Sequence, residues 1–60
     1  MNERYRRLSV VVDPKDDGET DVRDFTGAYP YPAFAIWLRD TRRKTGQRWR
    51  VLSATYSWPR

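Results

Sequence analysis

Residues 33–56 read AFAIWLRDTRRKTGQRWRVLSATY, and the way this stretch bends decides the fold. On either side of Lys44-Thr45-Gly46 the apolar residues alternate, with Phe34, Ile36 and Leu38 before it and Leu52, Ala54 and Tyr56 after it. A period of two marks a half-buried strand, and a three-residue loop ending in Gly fits a type I turn closed by a left-handed residue. The expectation is a β-hairpin with strands 33–41 and 48–57. In that register Arg43 faces Gln47, Asp40 faces Arg50, Leu38 faces Leu52, Ile36 faces Ala54 and Phe34 faces Tyr56. Charge, aliphatic and aromatic pairs then sit opposite one another, each contributing about 0.2 to 1 kcal/mol.

Upstream, residues 5–12 (YRRLSVVV) are β-branched and alternate, which predicts a strand with Leu8, Val10 and Val12 on one side. Asp13-Pro14 ends it, and Asp16-Asp17-Gly18 is a turn signal in which Gly supplies positive φ. Residues 19–26 read as an acidic loop or two helical turns, with Val22 and Phe25 three apart and Gly27 as the stop. Tyr29-Pro30-Tyr31-Pro32 reads as extended, because proline disfavours the helical region for the residue before it. The fold class expected is mainly β: one small domain over residues 1–60, built on a three-stranded antiparallel sheet (strands 5–12, 33–41 and 48–57). Its buried face would hold Leu8, Val10, Val12, Phe34, Ile36, Leu38, Leu52, Ala54 and Tyr56, leaving Trp37 and Trp49 on the other face beside Arg7 and Arg39. Trp58-Pro59 reads as an aromatic plug at the sheet edge, where Pro blocks further pairing.

Composition narrows the chemistry. A chain of 60 residues buries only about 60% of the surface that its unfolded form exposes, so a homodimer or an obligate complex is expected to support it. With neither Cys nor His, disulfides, thiolate or imidazole metal sites and Ser-His or Cys-His nucleophiles are all excluded. No apolar run approaches the roughly 18 residues of a membrane span, and a cysteine-free chain fits a reducing compartment, so a cytoplasmic protein is expected. Asp13, Asp17 and Gly18 resemble the opening of a calcium loop, but Lys15 occupies the third place and Asp24 the twelfth, so no metal or cofactor is expected.

The net charge of +4 hides a strong asymmetry. Residues 13–27 carry Asp13, Asp16, Asp17, Glu19, Asp21 and Asp24 against Lys15 and Arg23, whereas residues 28–60 carry seven cations against Asp40. Ten of the twelve cations are Arg, whose planar fork matches phosphate and stacks on aromatic faces. The leading expectation is therefore a small basic, non-enzymatic nucleic-acid-binding protein, contacting DNA or RNA. Arg39, Arg42, Arg43, Lys44, Arg48 and Arg50 would neutralise phosphates, and Trp37 and Trp49 would stack bases. The competing expectation is an inhibitor or adaptor of the kind found in phage and mobile elements. It would bind a protein partner through Asp13, Asp16, Asp17, Glu19, Asp21 and Asp24, with Tyr29 and Tyr31 as aromatic anchors.

Overall fold

The structure, a computed structural model, describes residues 6–58. The chain runs β1 (Arg6–Asp13), β2 (Asp21–Gly27), α1 (Pro30–Thr45) and β3 (Arg50–Ser57). The three strands form one antiparallel sheet in the order β2-β1-β3, so the fold is the small, mainly-β, three-stranded sheet that the pattern predicts. Two of its segments are exchanged relative to that expectation. The strand placed at 33–41 is helix, and the acidic loop or short helix placed at 19–26 is the edge strand β2. Tyr5, the first residue of the strand expected at 5–12, lies outside the described residues, as does Pro59.

The β1–β2 pair follows from the turn between them. Asp16 (φ 60°) and Gly18 (φ 93°) both adopt the left-handed conformation that Asp, Asn and Gly tolerate, reversing the chain so that Leu8 pairs with Phe25 and Val12 with Asp21. On its other side β1 pairs with β3, Leu8 facing Tyr56 and Val10 facing Ala54, with a β-bulge where Val11 meets Ser53 and Val12 meets Val51. Leu52 is the extra residue at that bulge, and it is 46% exposed.

The helix begins where the sequence was read as extended. Pro30 and Pro32 lie in its first turn, where a missing N–H costs nothing because those N–H groups have no partner within the helix. Pro30 is itself fully buried. The pre-proline preference acts on Tyr29, which stays outside the helix at φ −132° and ψ 70°, while Tyr31 is held helical despite it. At the far end Gly46 (φ 73°) is the left-handed cap, its N–H donating to the Arg42 carbonyl at 2.9 Å. The hairpin register through Lys44-Thr45-Gly46 is therefore absent. Gly46 does adopt the predicted left-handed conformation, but it ends a helix.

Helical periodicity also redistributes the core. Leu8, Val10, Val12 and Phe34 are buried, with Phe25, Trp37, Leu38, Trp49 and Val51 packed around them. Ile36, Leu52, Ala54 and Tyr56, expected inside, are exposed. Phe34 and Ile36 share a face of a strand, but at about 100° per residue they point nearly opposite ways from a helix. α1 lies against β1 and β2 and not against β3, so the helix-side face of β3 has no cover within the monomer.

Candidate nucleic-acid interface

All six cations singled out from the sequence lie within the C-terminal half of α1, the loop after it and the first residue of β3. Arg42, Arg43 and Lys44 form the last turn of α1, where positive charge also complements the carbonyl end of the helix dipole. They do not share one role. Arg42 turns back on the chain: its Nε donates to the Arg48 carbonyl at 2.7 Å and its Nη2 to the Trp49 carbonyl at 3.4 Å. It thereby fastens the loop to the helix. Arg39 pairs with neighbouring Asp40 at 3.4 Å, and both side chains are more than half exposed. Arg43 and Lys44 are exposed and form no ion pair among the described residues.

Arg48 and Arg50 approach a carboxylate from another element. Asp16, at the tip of the β1–β2 turn, lies 3.8 Å from Arg48 Nε and 3.3 Å from Arg50 Nη1. The acidic turn and the basic loop are thus neighbours at one end of the molecule, in the manner of an acidic flap beside a basic surface. Both pairs are well exposed, so each contributes about 0 to 1 kcal/mol.

Neither indole lies on an open sheet face. Trp37 projects from the inner side of α1 into an aromatic cluster, with ring centres 5.5 Å from Phe25, 6.5 Å from Phe34 and 5.4 Å from Trp49. The Arg23 guanidinium covers it at 5.5 Å. Trp49 adopts φ 46°, a conformation costing a bulky residue about 1 to 3 kcal/mol, which persists only when the surroundings enforce it. Here its N–H donates to the Pro14 carbonyl (3.1 Å) and its Nε1–H to Thr45 Oγ1 (2.8 Å). That hydroxyl in turn donates to the Thr41 carbonyl at 2.8 Å and receives the Gln47 N–H at 3.2 Å. Trp37 and Trp49, expected to stack bases, are half-buried and packed against each other, and the two rings anchor the loop that displays Arg48.

The acidic residues are largely occupied within the fold. Asp13 is buried, its two carboxylate oxygens accepting the N–H groups of Asp17 (3.1 Å) and Gly18 (2.9 Å). Burial pushes its carboxyl up, but the backbone N–H groups of Gly18, Asp17 and Asp16 and the charge of Arg50 outweigh that and hold it below its ordinary value. Asp17 Oδ1 accepts the Glu19 N–H, and Asp21 both accepts the Val22 N–H and pairs with Arg23 at 3.6 Å. Tyr29 and Tyr31 are exposed by 77% and 53%, at the opposite end of α1 from the cations.

An open depression of about 230 Å³ between the turn and β2 is lined by Pro14, Lys15, Asp17, Glu19, Thr20 and Asp21. Among the described residues no three carboxylates converge as metal ligands, and no helix is long and apolar enough to cross a membrane. Comparison with known protein families, curated proteins and solved structures finds no match.

Proposed function

We propose that the chain is a non-enzymatic module that binds the phosphate backbone of nucleic acid through the C-terminal half of α1 and the loop after it. The observation that carries this reading is the uneven use of charge. The Asp13, Asp16, Asp17 and Asp21 carboxylates are engaged in turns, ion pairs or backbone hydrogen bonds, leaving Glu19 and Asp24 as the two exposed acids of this segment without such a contact among the described residues, whereas Arg43 and Lys44 stand together in one turn of α1 without an anionic partner among the described residues, and Arg39 and Arg48 hold theirs only at an exposed surface. Clustered cations on a rigid helix lower the cost of neutralising several phosphates at once, because release of condensed counterions drives association. With Trp37 and Trp49 packed against the core, contact with sugar and phosphate rather than base stacking is the mode this surface favours. Such a role places the protein where nucleic acid is accessible, as in the cytoplasm.

The test is affinity for duplex and single-stranded DNA and RNA measured across a salt series. Arg39, Arg43 and Lys44 are replaced together by Ala, leaving Arg42 in place because it holds the loop. The wild type should lose affinity steeply with salt, and the triple variant should flatten the slope by about 2 to 3, close to one for each lost phosphate contact. Equal slopes would overturn the reading. Carriage of a protein partner by the exposed Tyr29 and Tyr31 is the second reading; under it, replacing these tyrosines and not the cations abolishes binding.

A further inference from the structure

α1 is covered along one side only. Phe34, Trp37, Leu38 and Thr41 turn inward, where the helix lies against β1 and β2. At about 100° per residue the opposite side carries Ile36, Arg39, Asp40 and Arg43, all exposed and in one continuous stripe. Two of these four are out of place on a surface that only neutralises phosphate. Ile36 is a bulky aliphatic side chain, 54% exposed, and takes no part in the core. Asp40 is an anion among Arg39, Arg43 and Lys44, where it would repel a phosphate backbone. It accepts instead from Arg39 Nε at 3.4 Å, which holds that guanidinium in place and leaves its two Nη groups for a ligand.

We propose that the outer stripe of α1 enters the major groove of duplex DNA and reads base edges there. This rests on the phosphate-binding reading above and names the class of nucleic acid that it serves. Charge complementarity selects the occupant: Arg43 and Lys44 in the last turn and Arg48 in the loop after it stand at the C-terminal end of the stripe, where they reach the phosphates on the rims of the groove. Asp24 lies on the other side of the molecule, since it alternates on β2 with Phe25, which packs on the core beneath the helix. Shape agrees. A helix about 10 to 12 Å across fits the B-form major groove, about 12 Å wide, whereas the major groove of duplex RNA is too narrow for side chains to read. With no aromatic residue in it, the stripe offers a single strand no surface for stacking. Each reading residue has a matching edge: the two Nη groups of Arg39 suit guanine O6 and N7, Asp40 accepts from cytosine N4, and Ile36 rests on a thymine methyl. From Ile36 to Asp40 the axis rises about 6 Å, the span of about two base pairs.

Selection from a random duplex DNA library tests the proposal. The wild type should enrich a short subsite containing G·C, bound about tenfold or more tightly than a scrambled duplex. Putting a guanine analogue with carbon in place of N7 into that subsite should remove most of the preference, because N7 is an acceptor of the major groove. Asp40→Ala and Ile36→Ala change exposed side chains, and far-UV circular dichroism should show the fold retained in both. A surface that only grips phosphate would respond to Asp40→Ala by binding every sequence more tightly by the same factor. Base reading requires instead that affinity rise for the scrambled duplex while the preference for the selected one shrinks. Ile36→Ala should weaken the selected site alone. A library with no enriched sequence, a preference untouched by the analogue and by both variants, or tighter binding to single strands or duplex RNA would overturn the proposal. Steep salt dependence without sequence preference would overturn it and leave phosphate binding standing, whereas no affinity for any nucleic acid would remove both.

Discussion

The Asp13 carboxylate closes the β1–β2 turn by accepting two backbone N–H groups, and its buried position makes the anion an integral part of the fold. Its carboxyl is held below its ordinary value near 3.8, so the stabilisation it supplies is complete above that value and fades as pH falls through the lower folded-state value. Asp13→Asn removes the dependence: Asn keeps one acceptor and turns an NH2 toward the second N–H. The variant should be less stable than the wild type at neutral pH, and the gap between their urea midpoints should narrow once pH drops below about 4. A gap that stays constant into strong acid would mean that Asp13 is not held as an anion. Sequence reading found the turn through Asp16-Asp17-Gly18 but grouped Asp13 with the acids facing a protein partner, because only coordinates reveal which carboxylate turns inward.

At the scale of the element, α1 shows why one signal misleads. Gly46 was legible as a left-handed residue, and it is one at φ 73°; yet that conformation serves a three-residue hairpin and a helix cap alike. The deciding cues lie elsewhere in the segment. Pro30, Phe34, Trp37, Leu38 and Thr41 recur at helical spacing, and these are the α1 residues that are buried or half-buried. Against 5–12 with three Val, 33–40 has a single β-branched residue, Ile36. β2 escaped for the converse reason, since only Phe25 of its residues packs on the core and Val22 is 59% exposed, which left no alternation to read. The helix makes a prediction that a strand would not. Phe34→Ala should cost about 3 to 5 kcal/mol in chemical denaturation, whereas Ile36→Ala, on the outer side and 54% exposed, should stay within about 0.5 kcal/mol. Similar losses at the two positions would restore the strand.

For the whole molecule, topology brings together charges that are far apart in sequence. The sequence showed an acidic segment followed by a basic one and an antiparallel sheet, but not that the β1–β2 turn and the α1–β3 loop share one end, because that follows from β1 lying between both partners. Asp16 is the residue through which the two segments meet, opposite Arg48 and Arg50. Replacing it with Asn isolates that contact. Asn tolerates the left-handed conformation that Asp16 adopts at φ 60°, so the backbone of the turn is kept while the net charge rises by one. Losing two exposed ion pairs should lower stability by no more than about 1 kcal/mol. If this end of the molecule grips phosphate, freeing both guanidiniums should raise affinity for nucleic acid at low salt and steepen the dependence on salt concentration by up to about 2. Charge addition thus moves binding in the opposite direction from removing Arg39, Arg43 and Lys44, while both changes weaken folding slightly or not at all. An Asp16→Asn variant with unchanged affinity and slope would show that Arg48 and Arg50 are turned away from the ligand, confining the contact to the outer side of α1.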